Sequence, residues 1–106
     1  PFADLFSFTV TGADESRVIR AAKALRDALG YAVERREELK PLSIEVLGPA
    51  GASVVKVNNR YRYRVLVKCR NDKEIRAILA QILRAAQQDR ANKGLSILID
   101  VDPMDG

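Results

Sequence analysis

Arginines or lysines stand at five alternate positions of one segment, Arg60, Arg62, Arg64, Lys68 and Arg70, with Leu66 filling the gap. A guanidinium is a planar fork that pairs with phosphate through parallel N–H donors and stacks on bases. Spaced by two on a β-strand, such side chains share one face. Tyr61, Tyr63, Val65, Val67 and Cys69 take the other face and form a set fit for a core. The chemistry on offer is recognition of a polyanion, and nucleic acid is the natural one. The tyrosines have the wrong parity to stack on bases at the charged surface. The expected mode is therefore phosphate contact with weak sequence preference. A strand that blunts itself against aggregation with charge has the same pattern.

Charge distribution bears on that choice. The 106-residue chain has a net charge of +4, and residues 48–71 hold six basic side chains, with Lys56 the sixth, and no acidic one. The remainder carries 12 basic and 14 acidic residues. All the excess positive charge falls in one hairpin-sized segment, where it focuses a field toward an anionic partner.

Other chemistry is poorly supplied. There is no histidine, which removes the usual general base near neutral pH and the commonest metal ligand. The single Cys69 excludes an internal disulfide and a thiol-based metal site, and its inward parity reads as an inert small hydrophobe. Asp100, Asp102 and Asp105 could gather around Mg²⁺, but Pro103 is expected to interrupt the strand, leaving a polar strand end. Gly48, Pro49, Ala50 and Gly51 lack the lysine and hydroxyl of a phosphate loop. No apolar run approaches the length of a membrane span, and no signal segment opens the chain. It begins Pro1, Phe2, Ala3 without an initiator methionine, as expected of a domain cut from a longer protein or of processing.

The elements that must position the basic strand follow from periodicity. Residues 5–11 alternate as a first strand with Phe6, Phe8 and Val10 on one side. Asp14 is a plausible N-cap for a helix carrying Val18, Ala22, Leu25 and Leu29 on one face, which Gly30 is expected to end. Residues 31–41 read as a solvated loop or an extra helical turn. Residues 43–47 form a short strand closed by Gly48 and Pro49, and residues 50–53 are small and flexible. Residues 54–57 add a short strand that turns at Asn58 and Asn59, which tolerate positive φ, into the basic strand. Asn71 with Glu74 suggests a capping box for a second helix with Ile75, Ile78, Leu79, Ile82 and Leu83 on one face. Residues 95–101 form the last strand. The order βαββαβ predicts an α+β, ferredoxin-like sandwich: a four-stranded antiparallel sheet with two helices on one face. The first and third strands are central in this topology, so the cations should run down the middle of the open face. Leu5, Ser7, Thr9 and Thr11 would lie beside them, with Ser96, Leu98 and Asp100 on one flank and Ser43, Glu45 and Leu47 on the other.

Three strings add a family resemblance: Ile44-Glu45-Val46-Leu47-Gly48-Pro49-Ala50, Lys56 before Arg60-Tyr61-Arg62-Tyr63, and Ile99-Asp100-Val101-Asp102-Pro103. With the opening Pro1-Phe2 they resemble, across essentially the whole chain, the C-terminal domain of the primosomal protein N′ family of bacterial replication-restart helicases. The resemblance implies a single accessory domain, residues 1–106, of a larger cytoplasmic helicase, helping to bind branched or single-stranded DNA at stalled forks. It implies docking to the helicase core, to the C-terminal tail of single-stranded-DNA-binding protein or to other primosome proteins as an alternative. A ribosomal-type RNA-binding module is a further alternative from fold analogy. Lys56 and residues 60–62 map onto the family's basic motif. Gly51, Ala52 and Ser53 depart from the family's proline-rich loop. The ATPase motifs and cysteine-rich zinc region of the full helicase are absent, so ATP, Mg²⁺ and zinc are expected only in the full-length protein.

Overall fold

The computed structural model describes residues 3–104, with the side chains of 53–55, 103 and 104 left aside. Its strands are β1 (Ala3–Gly12), β2 (Glu45–Val57), β3 (Arg60–Cys69) and β4 (Ser96–Met104). Helix α1 (Glu15–Arg35) links β1 to β2, and α2 (Lys73–Gln88) links β3 to β4. The sheet order is β2-β3-β1-β4 with every pair antiparallel, so β1 and β3 are central.

Both helices lie on one face because each has one apolar stripe to bury. Phe6, Phe8 and Val10 of β1 and Val65 and Val67 of β3 meet Val18, Ala22, Leu25 and Leu29 of α1 and Ile75, Ile78 and Leu79 of α2. Burying a side chain of the size of Phe8 or Leu29 stabilises by about 1.5–3 kcal/mol, and both are fully enclosed. Gly12 sits where β1 passes close to α1. A Cβ there would run into Leu95 and lie 3.0 Å from Val18.

Asp14 caps α1 as its sequence position predicts. Its carboxylate accepts from the Ser16 hydroxyl and the Arg17 N–H, which hold its pKa below the usual value. Gly30 does not end the helix. Its surroundings leave it helical, and α1 continues to Arg35, whose guanidinium lies 4.3 Å over the Tyr31 ring one turn earlier. A 3₁₀ turn (Glu37–Leu42) follows, anchored by the buried Leu39 amid charged neighbours.

Three other boundaries differ from expectation. Residues 45–57 form one long strand, not two short ones, because irregularities after Leu47 and after Gly51 absorb the misfit against β3. Gly48 takes φ +99° at the first of these. The cap of α2 is Asp72, accepting from the Glu74 N–H, while Asn71 Oδ1 instead accepts from Arg76. Strand β4 runs through Pro103 to Met104, since an edge strand tolerates a residue without an N–H. Asn58 and Asn59 both adopt positive φ and make the tight β2–β3 turn.

Candidate nucleic-acid interface

The strand register places the open-face side chains in rows across the sheet. Nearest the Asn58 and Asn59 turn, Arg62 lies opposite Thr11, and Thr11 opposite Ser96. The next row is Ala50, Arg64, Thr9 and Leu98, followed by Leu47, Leu66, Ser7 and Asp100. The last is Glu45, Lys68, Leu5 and Asp102. Arg60 stands one pair beyond Arg62 and donates to the Thr11 carbonyl at 3.4 Å, which drapes its guanidinium over the end of β1.

The cations of β3 therefore do not share one environment. Arg60, Arg62 and Arg64 occupy rows without a carboxylate. Lys68 shares its row with Glu45 and Asp102, and Asp100 borders the row above. Arg70 lies past the end of β3, exposed, near the Asp72 cap. The lower half of the basic series thus has acids beside it from both edge strands, and the cations whose rows hold no acid are concentrated at the turn end.

Lys56 is not part of that concentration. It pairs with Tyr61, so the two side chains share the helix-facing side, and its ammonium lies 5.1 Å from the Tyr61 ring centroid. Tyr61 and Tyr63 pack against the core, and the Tyr63 hydroxyl donates to Glu15 at 2.7 Å. That bond to a carboxylate raises the Tyr63 pKa, helped by desolvation. Tyrosine stacking on bases at the open face is accordingly not available. The arginines Arg35 and Arg36 lie at the far end of α1, one on Tyr31 and the other 3.9 Å from Glu38. They are not brought to Arg62.

Cys69 is buried, and burial, then the charges of Asp4 and Asp72, push its thiol up to about 11. Asp100 and Asp102 do share the open face because β4 continues, while Asp105 falls outside the described residues. Among the described residues no three His, Cys, Asp or Glu side chains are grouped to hold a metal ion. No described helix is long and apolar enough to cross a membrane.

One feature of the helix side had no signal in the sequence. A groove of about 210 Å³ runs between α2 and β4, lined mainly by Phe6, Leu79, Leu83, Ile99 and Val101, with Arg76 and Asp100 as its charged members. Its lining comes from β1, α2 and β4, which only the tertiary arrangement brings together.

The family of the primosomal protein N C-terminal domain matches residues 1–104. This chain belongs to that family. The probable replication restart protein PriA of Deinococcus radiodurans is 37% identical over 103 residues, 97% of this chain and 10% of that protein. The replication restart protein PriA of Bacillus subtilis is 29% identical over 59 residues, 56% of this chain and 7% of that protein. The chain thus spans a tenth or less of the relatives it matches. Among solved structures, the de novo designed protein Foldit4 superposes with a TM-score of 0.61 at 20% identity, covering 94% of this chain and 96% of the design. A designed ferredoxin fold gives 0.57 at 17% identity, covering 98% and 88%. These likenesses show the ferredoxin-like fold and nothing of function.

Proposed function

We propose that this primosomal-family chain is a DNA-binding and docking domain of a bacterial, cytoplasmic replication-restart helicase. On this reading the turn end of its open sheet face binds phosphates of branched DNA. The observation that carries it is the placement of Arg60, Arg62 and Arg64 in rows that hold no carboxylate. The lower, charge-balanced half with Leu5, Leu47 and Leu66 is suited to neighbouring protein, since leucines gain from being covered and DNA phosphates do not cover them. Lys68 and Arg70 belong to that docking half, and Lys56 to the opposite side of the hairpin. ATP hydrolysis, its Mg²⁺ and the zinc site belong to other parts of the longer protein. This chain has no histidine and only one, buried, cysteine to offer zinc.

Fluorescence anisotropy with forked, duplex and single-stranded DNA at several salt concentrations tests the reading. Each phosphate contact steepens the salt dependence for duplex DNA by about 0.9 unit. Arg60, Arg62 and Arg64 changed together to Ala should therefore flatten the slope by up to about 2.7 units. An unchanged affinity and slope would remove the DNA-binding assignment.

A second reading concerns the α2–β4 groove. Its mainly apolar lining, with Arg76 to pair a carboxylate although Asp100 also lines it, fits a peptide ending in apolar residues and a carboxylate, the character of the C-terminal tail of single-stranded-DNA-binding protein. Saturable binding of such a peptide, weakened by Arg76→Ala, is the expected result. Binding indifferent to Arg76 would place the peptide elsewhere.

A further inference from the structure

Arg62 and Arg64 have hydroxyl-bearing side chains directly beside them on β1. Thr11 separates Arg62 from Ser96, and Thr9 lies directly opposite Arg64. Side chains of directly opposed residues stand about 4.5–5.5 Å apart at Cβ, and the span from β3 to β4 across β1 is about 10 Å. All three hydroxyl-bearing residues are partly exposed, and none of their hydroxyls is committed to a partner among the described residues. Lower on the face the pattern changes, with Leu5 beside Lys68 and the buried Ser7 beside Leu66. Hydroxyl neighbours therefore coincide with the arginines that have no acid in their rows.

We infer that Thr9, Thr11 and Ser96 are phosphate-binding residues that complete a strip with Arg62 and Arg64, so that a DNA backbone crosses the strands from β3 over β1 to β4. This rests on the DNA-binding reading above and adds the neutral half of the site. An arginine fork supplies charge and leaves phosphate oxygens on the side facing β1. A threonine or serine O–H beside it donates to those oxygens, and a hydroxyl contact fixes the backbone's path without releasing a counterion. Nothing on the strip reads a base edge, which suits a ligand recognised by shape.

The two halves separate by their salt behaviour. The double variant T9V/T11V keeps β-branched side chains and strand propensity while removing the hydroxyls. In duplex titrations it should bind about tenfold more weakly at every salt concentration, with an unchanged slope of log affinity against log salt. The conservative T9S/T11S should bind within about twofold of the native chain, by the same hydrogen-bond magnitude. S96A, at the start of β4, supplies the same readout should the valine pair alter folding, which thermal unfolding reports. R62A/R64A should instead flatten the slope by about two units. Native affinity in T9V/T11V and S96A, or a loss appearing as a changed slope, overturns the hydroxyl strip while a flattened slope in R62A/R64A keeps the DNA-binding reading. Native binding by R62A/R64A overturns both.

Discussion

Tyr63 shows how far a single residue can be read from sequence. Its parity, odd among even-numbered cations, sends it to the helix side, and there it meets Glu15. Alternation predicts the side but not the partner, because Glu15 is 48 positions away and only the crossing of α1 over β3 joins them. The bond has a pH signature shared with Cys69. Both groups have folded-state pKa values above their ordinary ones, Tyr63 through Glu15 and Cys69 through burial. A raised folded pKa means stability that is fully present below the unfolded value and lost as pH climbs through the folded one. For Cys69 that window runs from 9.0 to about 11, and Tyr63 acts in the same direction from 10.0 upward. Urea unfolding between pH 7 and pH 11 should show stability falling across this window, with Y63F and C69A each lessening the fall. A native chain whose stability is level or rising through it would contradict both assignments. The thiol should also resist alkylation at pH 8 until the chain is unfolded.

Among the elements, two glycines give opposite expectations. Gly30 is a helix-interior residue with nothing within 4 Å of an added Cβ, so Gly30→Ala should stabilise by about 0.5–1 kcal/mol. Gly12 has Leu95 and Val18 where the Cβ would go, so Gly12→Ala should destabilise by about 1–3 kcal/mol. Chemical denaturation of the two variants checks both signs. Gly30 also lies where the helix is expected to stop. Glycine commonly ends helices through a positive φ, yet here Ala32 still packs on the core beyond it, and that burial keeps α1 going to Arg35. The long β2 was illegible for a related reason: its two irregularities scramble the alternation on which a strand is recognised. The helix faces, the two-asparagine turn and the βαββαβ order were legible because each is a local pattern repeated over several residues. Parity and topology put Glu45 and Asp100 on the flanks of the open face, whereas Asp102 joins them only because β4 runs past Pro103, and no local pattern shows which row each takes.

At the scale of the whole molecule, a chain with a small net charge of +4 divides its charges unequally along one sheet face. Register achieves this by lining Glu45, Asp100 and Asp102 up beside the lower part of β3 and leaving threonine, serine, alanine and leucine beside its upper part. Charge at the two ends should consequently have unequal effects on DNA. Charge reversal compares them at equal change in net charge: R62E/R64E against K68E/R70E, each titrated with forked duplex DNA over a range of salt. The expected result is that R62E/R64E abolishes measurable binding, while K68E/R70E keeps a salt slope within about one unit of the native one. Equal losses from the two pairs, or a greater loss from K68E/R70E, would contradict a DNA site at the turn end of the sheet.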